Sequence, residues 1–132
     1  MKDNEMVKRL SQLRDMRREV DELSQRIGRL EVEAKGRAVA PGLERARGLM
    51  EERRWACMEE LGCLYAFIDA IPDSRLRRIF SFRYIDGLSW LQVAFRIGEH
   101  DEQYPRRLHN RYVKEAAAGR ETAGERWGKL SF

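Results

Sequence analysis

The sequence predicts an all-α protein, in which an N-terminal long helical hairpin or coiled coil precedes a C-terminal three-helix helix-turn-helix domain. Charged residues make up 36% of the 132 positions and hydrophobic residues 42%, a balance that suits amphipathic helices. Apolar residues recur every seven positions in the first half, and helix-capping motifs follow in the second. We expect the hairpin at 1–71, the helix-turn-helix domain at 72–118 and a flexible tail at 119–132.

The first segment has a heptad pattern. One apolar row repeats every seven residues and consists of Met6, Leu13, Val20, Ile27 and Ala34. A second row lies three residues further along the chain and consists of Met16, Leu23 and Leu30. This pattern predicts a single helix from Met6 to Ala34 with a coiled-coil stripe. Such a stripe needs a partner helix to cover it.

A second long helix is the candidate partner. The glycines and the proline of GRAVAPG, residues 36–42, predict a turn. Beyond it an apolar heptad row reaches to Pro72 and consists of Leu43, Met50, Cys57, Leu64 and Ile71. An antiparallel hairpin and a parallel homodimer through the first helix both satisfy these patterns. Cys57 and Cys63 match no zinc or redox spacing, so we expect buried thiols.

The next segments carry helix-capping motifs. Asp73 or Ser74 caps a predicted helix that runs to about Ile85 and closes at Asp86-Gly87. Ser89-x-x-Gln92 is a capping box, which predicts a short helix from Trp90 to Ile97. Ala94-x-x-x-Gly98 then suits the tight turn of a helix-turn-helix.

A basic helix follows this turn. With Asp101 as its N-cap, Pro105 falls in the first turn, where a proline is tolerated. The predicted inward residues are Pro105, Leu108, Tyr112 and Ala116. The predicted outward residues are Gln103, Arg106, Asn110 and Lys114, flanked by Arg107 and Arg111. Arginine and amide side chains are those that read base edges and bind phosphates in DNA.

The charge distribution supports this interpretation. The net charge is only +4, but the segment from Arg106 to Lys114 holds four basic residues and no acidic one. We expect His109 to contact phosphate or solvent and to add a fifth charge at low pH. Such a patch is typical of a phosphate-binding surface.

Other classes of function lack a motif in this sequence. There is no phosphate loop, nucleophile elbow or metal-ligand spacing, so we expect no enzyme, no catalytic residue, no metal and no cofactor. The N-terminus is unlike a signal peptide, and no apolar run is long enough to span a membrane. We therefore expect a cytoplasmic protein.

Several motifs together resemble region 4 of bacterial sigma factors, and more closely the small phage and prophage regulators of the ArpU type. The resemblance covers about residues 64–115, and Arg83-Tyr84-Ile85-x-Gly87-x-Ser89-Trp90 is its most specific part. It is also carried by Arg78-Ile79, Val93-Ala94, Ile97-Gly98 and Arg107-Leu108-His109. It implies a regulator of phage or prophage transcription whose second helix-turn-helix helix enters the major groove.

The resemblance also implies roles for individual residues. The base-contacting candidates are Gln103, Arg106, Arg107 and Asn110, while Ser89 and Trp90 begin the supporting helix near the DNA backbone. The segment Glu99-His100-Asp101 makes the turn one residue longer than usual in the family. Pro105 stands where the family has a β-branched residue.

Two alternatives from other classes stay open. A small terminase-like DNA-packaging subunit also combines a helix-turn-helix with coiled-coil oligomerisation. An interaction module would dock on RNA polymerase without binding DNA.

Overall fold

The computed structural model describes residues 2–35 and 40–122. Within these ranges the chain forms helices and turns and contains no strand, so the predicted all-α class is confirmed. The helices are α1 (Lys2–Ser11), α2 (Leu13–Ala34), α3 (Pro41–Asp69), α4 (Ser74–Phe80), a π-helical turn (Ser81–Ile85), α5 (Trp90–Arg96) and α6 (Gln103–Thr122). Most of the predicted turn at 36–42 and of the predicted tail at 119–132 lies outside the described residues.

The chain divides into two compact units, and the division differs from the predicted boundary at residue 71. One unit is Leu13–Phe67, and the other combines the residues before and after it. The predicted helix from Met6 to Ala34 is interrupted at Gln12, whose N–H donates to the Arg9 carbonyl over 3.1 Å. Because Met6 and Leu10 are buried and α1 packs against α6, the first helix belongs with the C-terminal unit.

The Leu13–Phe67 unit consists of α2 and α3. Three side-chain contacts join them, namely Glu31–Arg47 at 3.7 Å, Arg54–Ser24 at 3.3 Å and Cys57–Glu19 at 3.5 Å. Successively earlier residues of α2 contact successively later residues of α3, which is the order that oppositely directed helices produce. The buried apolar side chains of this unit are Leu13, Leu23, Ile27, Cys57, Leu61 and Leu64.

The apolar residues of α3 do not all face inward. Cys57 is buried as expected, but Cys63 is exposed, so the prediction of two buried thiols was wrong for Cys63. Residues 57 and 63 lie about 600° apart around a helix, a net rotation of about 120°, and only one of them faces α2. Trp55 is 65% exposed and Met58 47% exposed. α3 therefore has apolar surface on more than one side.

The C-terminal unit, which also contains α1, continues after α3 with α4. Its N-cap is Asp73, whose Oδ2 accepts from the Leu76 N–H over 2.9 Å. The helix predicted to reach Ile85 does so, but its last turn widens. The Asp86 N–H donates to the Ser81 carbonyl five residues back, over 3.1 Å, and makes this turn π-helical. Gly87, with φ of 73°, ends it.

The short helix α5, predicted from Trp90 to Ile97, forms from Trp90 to Arg96. The Gln92 N–H donates to the Ser89 hydroxyl over 3.2 Å, and the Gln92 side chain accepts from the Ser89 N–H over 2.9 Å, which completes the capping box. Val93 and Ala94 are fully buried. Gly98, with φ of 84°, turns the chain toward α6.

One apolar cluster holds α4, α5 and α6 together. Ile79, Val93 and Ile97 form its buried centre. The half-buried residues packed around it are Leu76, Phe82, Leu88, Trp90, Tyr104 and Leu108. Because the cluster draws on all three helices, it fixes the position of α6 relative to α5.

We expect Gly98→Ala to destabilise the protein by about 1–2 kcal/mol, because an L-residue is strained at this positive φ. No atom lies within 4 Å of the added Cβ, so the cost is in the backbone alone. The matched control is Gly62→Ala within α3, where the added Cβ also meets nothing. It should stabilise by up to about 1 kcal/mol. Urea unfolding measures the free energy of unfolding of both variants. Equal changes would contradict the left-handed conformation of Gly98.

Candidate nucleic-acid interface

The start of α6 accommodates its proline. The Asp101 carboxylate accepts from the Gln103 N–H over 2.9 Å, and its carbonyl accepts from the Tyr104 N–H over 3.1 Å. Pro105, four residues after Asp101, has no N–H to donate to that carbonyl. The Tyr104 N–H, three residues after Asp101, donates to it instead. Pro105 itself is fully buried in the first turn. Asp101 thus acts as the predicted cap.

The buried face of α6 is rotated from the predicted one. Pro105, His109 and Val113 are buried, at four-residue intervals, whereas Leu108 and Tyr112 are only half-buried. His109 is 2% exposed. The expectation that His109 contacts phosphate or solvent was therefore wrong. An uncharged imidazole is compact and aromatic enough to replace an apolar residue in a core.

His109 lies in an aromatic cage with both ring nitrogens bonded. The Phe80 ring stacks on it at 4.8 Å between centroids, and Trp90 meets it edge-on at 5.0 Å. Its Nδ1 lies 2.8 Å from the Asn110 Oδ1, and its Nε2 lies 2.5 Å from the Tyr84 hydroxyl. A carboxamide oxygen only accepts, so Nδ1 carries the proton and Nε2 accepts from Tyr84.

This cage keeps His109 uncharged. Burial lowers the pKa of His109, opposed by the hydrogen bond to Asn110, while the positive charges of Arg83 and Arg106 lower it further. Burial also raises the pKa of Tyr84 to about 12, so the phenol keeps its proton for Nε2. His109 therefore adds no fifth charge to the surface near neutral pH.

The exposed face of α6 is cationic. At about 100° per residue, Arg107 and Lys114 lie opposite the buried face, and Arg106 moves from the predicted centre of the exposed face to one flank. Every outward residue predicted from the sequence is exposed, namely Gln103, Arg106, Arg107, Asn110, Arg111 and Lys114. All of the α6 side chains predicted to meet DNA are thus exposed.

Some of these candidates also have partners within the protein. Arg107 lies 3.9 Å from the Asp101 carboxylate, and both side chains are more than half exposed. The Asn110 carboxamide is held by His109. Ser89 caps α5 with its hydroxyl, and Trp90 is half-buried beneath the Arg83 guanidinium, 4.7 Å from the ring centroid.

The structure also brings together two arginines to which the sequence analysis assigned no DNA contact. Arg78 and Arg96 both lie against the ring of Phe82, at 5.4 and 5.8 Å from its centroid. They are 18 residues apart, and no periodicity or motif links them in the sequence. They become neighbours because Phe82 belongs to the π-helical turn that follows α4 and packs against α5.

No family model matches this chain, and no curated protein or solved structure matches it either. Among residues 2–35 and 40–122, no helix is long and apolar enough to cross a membrane. In the same part of the chain, no three His, Cys, Asp or Glu side chains converge as metal ligands would.

The burial of His109 predicts a dependence of stability on pH. Its pKa is lower in the folded state than the ordinary 6.5, so the unfolded state binds more protons as the pH falls below about 6.5. Stability should therefore decrease from pH 7 to pH 5, as measured by urea unfolding. In His109→Gln this decrease should become smaller. The matched control, His100→Gln at an exposed position, should keep it. Equal pH dependence in His109→Gln and the wild type would contradict this account.

Proposed function

We propose that this protein binds duplex DNA through α5 and α6, arranged as a helix-turn-helix, with α6 in the major groove. The observation that carries the proposal is the exposed face of α6. It combines Arg107 and Lys114 with the amides of Gln103 and Asn110, and no acidic residue occurs between residues 103 and 114. Cations that bind phosphates and amides that read base edges are the groups such a helix needs.

The roles of these residues follow from their positions on α6. Gln103, in the first turn, is placed to reach base edges, whereas Arg107 and Lys114 are placed for phosphates. Arg106, on one flank, and Arg111, which like Arg107 lies opposite the buried face, are also placed for phosphates. The Asn110 oxygen is taken by His109, so its amide hydrogens are left to donate to a base acceptor.

The biological role proposed is regulation of phage or prophage transcription. It is supported by the resemblance of Arg83-Tyr84-Ile85-x-Gly87-x-Ser89-Trp90 to sigma region 4 and the small regulators that carry it. In the proposed architecture the chain has a helical hairpin, formed by α2 and α3, in addition to the helix-turn-helix. RNA polymerase is the further partner that this resemblance suggests.

A second role, in protein–protein contact, is supported by α3. Leu49, Trp55 and Met58 are exposed at 60%, 65% and 47%, and large apolar side chains on a surface are typical of interaction sites. This observation favours an interaction function of the Leu13–Phe67 unit.

A monomer or dimer in light scattering fits the regulator, whereas a ring of many subunits fits a terminase-like subunit.

We expect the protein to bind a long mixed-sequence duplex at low salt, with an affinity that falls as salt rises. In Arg107→Gln/Lys114→Gln the slope of log affinity against log salt should be less steep by up to about 1.8, since each lost phosphate contact removes about 0.9. Fluorescence anisotropy over a salt series measures the slope.

The matched control is Arg26→Gln/Arg29→Gln, which removes the same charge from exposed positions on α2. It should keep the wild-type slope. If the wild type does not bind the duplex at low salt, the proposed function is wrong. If both double variants change the slope equally, only net charge matters and α6 is not the interface.

A further inference from the structure

Two guanidinium groups share one aromatic ring on the C-terminal unit. Arg78 of α4 and Arg96 of α5 lie 5.4 and 5.8 Å from the centroid of Phe82. The Arg78 Nη2 also donates to the Arg96 carbonyl over 3.3 Å. The ring and this hydrogen bond hold the two cations near each other, although both side chains belong to exposed residues.

Neither of these cations is neutralised within the part of the chain that the structure describes. No ion pair between described residues includes Arg78 or Arg96. Arg75, one turn earlier on α4, differs because it pairs with Glu99 at 3.5 Å. The two positive charges held near one ring repel each other. A bound anion would attract both of them and offset this repulsion.

The pair lies on the same side of the unit as the beginning of α6. Arg75 donates to the Tyr104 hydroxyl over 3.0 Å and so ties α4 to the first turn of α6. Arg78, three residues after Arg75, is its neighbour on the surface of α4. Phe82 and Tyr104 both pack against the Ile79, Val93 and Ile97 cluster. The two arginines therefore lie close to the contact between α4 and the first turn of α6.

We propose that Arg78 and Arg96 form a phosphodiester-binding site that grips the DNA backbone beside the groove occupied by α6. This inference rests on the proposed function. Guanidinium groups suit it because they donate two hydrogen bonds to one phosphate and keep their charge at any relevant pH. The cation–π contact with Phe82 restricts both side chains before binding, which lowers the entropy lost when they close on the phosphate.

The test is the salt dependence of duplex binding by Arg78→Gln/Arg96→Gln. If the two side chains close on one phosphate, the slope of log affinity against log salt should be less steep than in the wild type by about 0.9. Arg78→Lys/Arg96→Lys keeps the charges and should retain most of the slope. Circular dichroism and thermal unfolding establish whether each variant is folded. If the double variant does not fold, the single variants Arg78→Gln and Arg96→Gln are measured in its place.

Two control variants separate this inference from the proposed function. Arg26→Gln/Arg29→Gln accounts for net charge, and Arg107→Gln/Lys114→Gln reports on α6. A reduced slope in the Arg78 and Arg96 variants, beyond that of the α2 control, supports the site. If the α6 variants lower the slope while Arg78→Gln/Arg96→Gln matches the wild type, the phosphate site is overturned and an acidic protein surface becomes the candidate partner. If the wild type binds no DNA, both proposals are wrong.

Discussion

The burial of His109 is the constraint on which the proposed interface depends. The imidazole is enclosed by Phe80 and Trp90 and bonded at both nitrogens, so α6 cannot rotate without leaving polar atoms unpaired in the core. This rotation places Arg107 and Lys114 opposite the core. The charge pattern of the surface is therefore set by an interaction inside the unit.

The same contact joins the core to the surface. Tyr84 donates to His109, and His109 donates to Asn110, which lies on the exposed side of α6. A side chain held in this way loses less freedom on binding than a free one. Arg78 and Arg96 show the same principle, because Phe82 restrains both. Packed aromatic rings thus orient polar groups at several points of the candidate interface.

Local motifs were predicted well from the sequence, and features set by tertiary packing were not. The capping box at Ser89, the left-handed Gly98 and the Asp101 cap depend on residues only a few positions apart, so their patterns determine them. The rotation of α6 was misjudged because histidine counts as polar until its cage is known. The break at Gln12 follows from the packing of α1 on α6, which no local pattern encodes.

The proposed interface is one face of α6, and photocrosslinking tests directly whether that face contacts DNA. A photoreactive amino acid placed in turn at positions 103 to 118 of α6, in the presence of a radiolabelled duplex, measures which positions approach the DNA. Crosslinks at 103, 107, 110 and 114, with none at 105, 109 and 113 in variants that remain folded, are the predicted result. Crosslinks without helical periodicity, or none along α6 while the duplex is bound, would contradict the account.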